Sequence, residues 1–118
     1  MALLAGGPVD RVGVAVRFLE SRLSEELDVN TAARSCGYSR FHFMRRFRAA
    51  VGFSVAEYVR RRRLTLAAQE LAAGHSVLET ALEFGYGSQS AFTRAFTRSF
   101  GVPPGAYARG LRADSSDR

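Results

Sequence analysis

The chain has no lysine, one cysteine, two histidines and three prolines among its 118 residues. The single cysteine, Cys36, excludes a disulfide framework and a cysteine-based metal cluster, suits a reducing cytoplasm, and reads as a small buried hydrophobe. His42, His75 and the scattered acids form no ligand or triad spacing, so no metal, no cofactor, no catalytic residue and no enzyme is expected. His42 falls on a predicted helix that carries function, and His75 at a helix junction near the surface. Residues 1–8 lack the basic start and apolar run of a signal peptide, and no later run approaches membrane-spanning length. A soluble, cytoplasmic protein without a membrane partner is expected.

Acidic residues are the minority. Seventeen arginines face 11 acids, a net charge of +6 with a pI near 10.7, which points to a polyanionic partner. Arginine presents a planar fork that grips phosphate or a guanine edge with two hydrogen bonds. A GC-rich genome would by itself favour arginine over lysine, so the arginines' places in the chain matter more than their number.

From Pro8 to Tyr107 the apolar residues recur at helical spacing and no stretch alternates long enough for a strand, which predicts an all-α fold. Val12, Val16, Leu19 and Leu23 form the stripe of a first helix over Val9 to Arg22. Asp28 caps a short helix that stops at Gly37, and Ser39 caps the next, which runs to about Ala50 and ends near Gly52. Ser54 and Glu57 form a capping box for a long helix to Ala73, ended by Gly74. Ser76 and Glu79 form a second box, for a helix closing at Gly85, and Ser88 caps a helix to about Arg98. Pro103 and Pro104 allow one last turn, and 109–118 reads as a disordered tail. The predicted divisions are an N-terminal extension (1–8), a first helix-turn-helix unit (9–53), a linker helix (54–74), a second unit (75–108) and the tail.

An internal repeat underlies this plan. Ala33, Gly37 and Tyr38 recur 48 positions later as Ala81, Gly85 and Tyr86, and a one-residue insertion at Gly87 shifts the offset to 49. Ser39, Phe43, Arg45, Phe47, Gly52 and Tyr58 then match Ser88, Phe92, Arg94, Phe96, Gly101 and Tyr107. Each repeat is a short helix, a glycine turn and a capped second helix, the arrangement that sends a second helix into the DNA major groove.

If Phe43 and Phe47 face the core, Arg40, Phe41, Met44, Arg45 and Arg48 are left outward. If Phe92 and Phe96 do the same, Gln89, Ser90, Thr93, Arg94 and Thr97 are left outward. Arg45 and Arg94 suit guanine, Gln89 suits adenine, and Phe41 or Met44 can pack on thymine methyls. Ser39 and Ser88, at helix N-termini, favour a phosphate, although capping alone accounts for them equally well. Arg40, Arg48 and Thr97, together with Arg62 in the run Arg60 to Arg63, are assigned to the DNA backbone; a solvated charged face is the plainer reading of that run. The long helix would span about 28 Å, enough to hold two reading helices roughly one DNA turn apart, so one chain can do what a dimer usually does.

The segments Ala33 to Ser39 and Ala81 to Ser88, with Phe47, Gly52, Tyr58, Arg62, Ala68, Phe92, Arg94, Phe96 and Phe100 to Pro104, resemble the DNA-binding domain of the AraC/XylS family of bacterial transcription regulators. The resemblance spans roughly Val9 to Tyr107. It implies seven helices in two helix-turn-helix units, with double-stranded DNA as partner on the bacterial nucleoid. Phe41, Met44 and Arg45, then Gln89, Ser90, Thr93 and Arg94, match the groove-facing positions. Some relatives carry hydrogen-bonding residues where Phe41 and Met44 stand, so hydrogen-bonded reading by the first unit rests on Arg45.

The family leans toward activation, which needs a surface for RNA polymerase that no motif here identifies. Met1 allows a stand-alone regulator, and a fragment of a longer regulator would look the same. A nonspecific nucleic-acid binder or a protein-interaction adaptor that kept the fold is the alternative.

Overall fold

The computed structural model describes residues 8–116, with side chains over 11–110. Seven helices follow in order: α1 (Pro8–Glu20), α2 (Val29–Ser35), α3 (Arg40–Val51), α4 (Val55–Ala72), α5 (Val77–Glu83), α6 (Gln89–Phe100) and α7 (Pro104–Ser116). No strand occurs among the described residues, as the helical periodicity predicts. The chain divides into two compact units, and the division falls inside α4, between Arg60 and Arg61.

In the first unit α1 buries Val12, Ala15 and Leu19, with Leu23 following in the turn. Val16, expected on that stripe, is only half-buried. Neighbouring positions on a helix differ by about 100° of rotation, and the small Ala15 takes the fully enclosed place. Asp28 caps α2, accepting the Thr31 N–H at 3.0 Å and the Thr31 hydroxyl at 2.7 Å. Those bonds, the hydroxyl first, hold the Asp28 carboxyl below its ordinary pKa.

The turn from α2 to α3 needs a left-handed residue, and Gly37 supplies it at φ +79°. Gly85 repeats this in the second unit at +82°. In both copies the next residue ties back to the short helix: Tyr38 N–H donates to Ala33 O and Tyr86 N–H to Ala81 O, each at 3.0 Å. Cys36, just before the turn, is buried with its Sγ 3.3 Å from Ala33 O, and burial pushes its thiol pKa up.

The aromatic cores repeat as closely. Phe43 and Phe47 lie 5.7 Å apart, as do Phe92 and Phe96, and all four are fully buried. Phe47 meets Tyr58 edge to face at 5.5 Å, and Phe96 meets Tyr107 at 5.4 Å with the same 73° between rings. Removing one such phenylalanine would cost about 3–5 kcal/mol.

Helix α4 supplies core to both units. Val55 and Val59 are buried in its first half. In its second half Leu64, Ala67, Ala68 and Leu71 join Ala81, Phe84, Phe92, Phe96 and Ala108 in the second unit's core. Its 3-and-4 spacing there matches that of α1, so the end of α4 does for the second unit what α1 does for the first. At its start the Ser54 hydroxyl accepts the Glu57 N–H at 3.1 Å, the forward half of the expected capping box. Both halves are present at Ser76 and Glu79.

The C-terminal segment departs from expectation. Residues 109–116 continue α7 instead of forming a disordered tail. Pro104 stands at the first helical position, where its missing N–H is no loss and its fixed φ suits a helix. The Pro103 carbonyl accepts the Tyr107 N–H at 2.9 Å, and buried Ala108 anchors the helix on the core. Residues 117 and 118 lie outside the described residues, as does the expected N-terminal extension up to residue 7; Pro8 already belongs to α1.

Candidate nucleic-acid interface

With Phe43 and Phe47 turned inward, α3 presents Phe41, Met44, Arg45 and Arg48 at the i, i+3, i+4, i+7 positions of one outward stripe, all exposed. With Ser54 and Val55 they line a concavity of about 410 Å³. At the equivalent positions α6 presents Ser90, Thr93, Arg94 and Thr97, with Gln89 exposed beside them. Gln89, Ser90, Thr93 and Arg94 line a second concavity of about 410 Å³. The seven residues assigned to base contact thus lie on two surfaces, one per unit, each with one exposed arginine among them.

The six residues assigned to phosphates are placed less uniformly. Ser39 caps α3 by accepting the His42 N–H at 3.3 Å, and Ser88 caps α6 by accepting the Ala91 N–H at 3.1 Å. Accepting leaves each hydroxyl proton available to a phosphate oxygen. Arg48 lies on the α3 stripe. Arg40 donates to Asn30 Oδ1 at 3.2 Å, which holds its guanidinium toward α2. Thr97 is half-buried and donates its hydroxyl to Thr93 O at 2.7 Å, so it offers a phosphate no donor while that bond lasts.

Arg62 is half-buried, and each of Arg60 to Arg63 has a partner within the protein. Arg60 grips Glu57 through two parallel bonds of 3.0 and 2.6 Å. The run is therefore not a row of free cations.

His42 packs its ring 4.6 Å from that of Tyr38, and its Nε2 accepts from Arg46 Nε at 3.2 Å. The same contact steadies Arg46, an exposed cation near the α3 stripe that no sequence argument selected. His75 sits 3.2 Å from Glu70 at the end of α4. Asn30, Ser54 and Val55 also join the surface without a signal in the sequence beyond Ser54's role as a cap. No group of three or more histidine, cysteine or acidic residues able to hold a metal occurs among the described residues, and none of their helices is long and apolar enough to cross a membrane.

A family described as helix-turn-helix domain matches residues 32–110. Over 93 residues the chain is 41% identical to the uncharacterized HTH-type transcriptional regulator YbfP of Bacillus subtilis (strain 168), covering 78% of this chain and 32% of that protein. It is 39% identical to the transposon Tn10 TetD protein of Escherichia coli, covering 78% of this chain and 67% of that one. The chain thus spans about a third of the length of the first relative and two thirds of the second. Among solved structures it is similar to the DNA-binding domain of AdpA, a global transcriptional factor crystallised with a target DNA: 33% identity and a TM-score of 0.77, over 92% of this chain and 96% of that one. The duplicated glycine turn, the two capped helices with inward phenylalanine pairs, and these likenesses agree: the chain belongs to the AraC-type family of helix-turn-helix DNA-binding domains.

Proposed function

We propose that this chain reads specific double-stranded DNA for a transcriptional regulator, with α3 and α6 entering two adjacent major-groove segments. The observation that carries this reading is the pair of outward stripes at the same four positions of the two repeats, each with an exposed arginine at its third position, Arg45 and Arg94. An arginine fork on a groove-bound helix pairs with guanine O6 and N7. Around Arg94, Gln89 suits adenine and the hydroxyls of Ser90 and Thr93 suit either donor or acceptor edges. Ser39, Ser88, Arg40, Arg48 and Arg62 hold the backbone, and Thr97 joins them on giving up its bond to Thr93. That the DNA-binding domain of AdpA was solved on its target DNA supports the same use of this fold.

The regulator works in the bacterial cytoplasm, and one chain engages both groove segments as a monomer. It activates transcription through contact with RNA polymerase. The chemistry of the site is recognition, not turnover.

Selection of bound sequences from a random duplex library, repeated at two salt concentrations, tests the reading. Two short enriched motifs about 10 base pairs apart are expected. Salt-sensitive binding without enrichment would instead make the protein a nonspecific binder.

A further inference from the structure

The two stripes occupy equivalent positions but differ in chemistry. Where α6 carries Ser90 and Thr93, α3 carries Phe41 and Met44. Phe41 is 72% exposed and Met44 40%, beside an α3 core face on which Phe43 and Phe47 are fully buried. Phenylalanine and methionine are usually buried, and an apolar surface held in water is informative about what covers it. The concavity they line has buried Val55 at its edge and the forks of Arg45 and Arg48 along the same stripe. Two cations in an apolar hollow suit a ligand with an apolar knob among hydrogen-bond acceptors. In the major groove the base edges offer one apolar group, the 5-methyl of a pyrimidine, and guanine offers the paired acceptors that an arginine fork needs.

Resting on the reading of α3 as a groove helix, we infer that the first unit reads pyrimidine 5-methyl groups beside a guanine, burying the methyl against Phe41 and Met44 while Arg45 takes the guanine. Phe41 has no hydrogen-bonding group and the Met44 thioether is only a weak acceptor, so neither separates the 4-oxo group of thymine strongly from the 4-amino group of cytosine. Both respond to the methyl itself, and the flexible thioether of Met44 adapts to its position. Thymine and 5-methylcytosine are therefore accepted alike at such a position, and unmodified cytosine and uracil are both disfavoured. In the second unit Ser90 has no methyl and the half-buried Thr93 offers only one, a much smaller apolar surface. Cytosine methylation thus modulates binding chiefly through the first half of the recognised site.

The test uses the full chain and the duplex enriched by library selection, with affinity measured by fluorescence anisotropy. Replacing thymine by deoxyuridine at one or two positions of the first half is expected to weaken binding about four- to fifteenfold, the effect of losing the burial of one to two methyl-sized groups. Replacing cytosine by 5-methylcytosine at such a position strengthens it by a similar factor. The same replacements in the second half change little. Phe41→Ala and Met44→Ala bring the thymine-to-uracil ratio close to one while the Arg45-dependent preference for guanine survives.

A duplex with uracil throughout the first half, bound as tightly as its thymine counterpart, overturns the inference and leaves sequence-specific reading intact. So does an enriched first half that has no thymine and gains nothing from cytosine methylation. Failure to enrich any sequence overturns the groove reading itself, and this inference with it.

Discussion

Tyr58 donates its phenolic hydrogen to Glu20 at 2.5 Å, joining the start of α4 to the end of α1 across 38 positions of chain. Both residues are half-buried, and the Tyr58 ring also closes on Phe47. Removing the hydroxyl takes one charge-assisted hydrogen bond from a half-buried carboxylate. Tyr58→Phe is therefore expected to lower stability by about 1–3 kcal/mol, and Tyr58→Ala by more, because the edge-to-face pair is lost as well. Urea unfolding of the two variants checks this, and equal losses would show that the hydrogen bond contributes little.

Ser39, Ser76 and Ser88 each cap a helix by accepting the N–H three residues on, but their expected roles differ. Ser76 is bonded reciprocally with Glu79 at the start of α5, and Ser76→Ala should cost about 0.5–2 kcal/mol of stability with no direct effect on DNA affinity. Ser39→Ala and Ser88→Ala should show the same loss of stability together with weaker binding to all duplexes. Thermal melts paired with binding curves separate the cases. Unchanged affinity in the latter pair would reduce both serines to caps.

Arg45→Ala and Arg94→Ala should each relax base preference at one defined position, by about 1–3 kcal/mol, with little change in binding to random DNA. Arg62→Ala should weaken binding to every sequence and make its salt dependence shallower by about one unit of slope. Competition binding over a panel of single-base variants at several salt concentrations reads both. A sequence-selective loss at Arg62 would contradict its assignment to the backbone.

The cap at Asp28 carries a pH dependence whose sign follows from its lowered pKa. The fold favours the ionised form, so the contribution is complete above the ordinary aspartate range and is lost as the pH falls through the depressed value. Asp28→Ala is expected to be less stable than the parent at neutral pH, and the difference should shrink in strong acid. Urea titrations at the two pH values measure it; a gap that widened toward acid would contradict the assignment.

The features legible in the sequence are those that local chemistry dictates. The 48-to-49 offset between the copies foretold both glycine turns, because only a residue free to adopt a left-handed backbone closes a helix so tightly there. It also foretold the inward phenylalanine pairs, since spacing alone sets a helical face. What stayed hidden depends on neighbours distant in the chain or on a choice between two local meanings. Pro104 reads as a stop or as a first helical residue, and the packing of Ala108 decides for the second. Ala15 rather than Val16 is enclosed because of what α1 packs against. Nothing in the spacing of Asn30 and Arg40 announces their bond, and Ser54 and Val55 enter the first concavity only once α4 is in place beside α3.

The unlikeness of the two stripes has a consequence for geometry on a chromosome. A regulator made of two identical subunits meets a palindrome and looks the same from either end. On the proposed reading, a single chain with Phe41, Met44, Arg45 and Arg48 on α3 and Ser90, Thr93, Arg94 and Thr97 on α6 has a left and a right. Its site would then carry an arrow, and inverting that site would turn the bound protein around, presenting its opposite flank to whatever stands downstream.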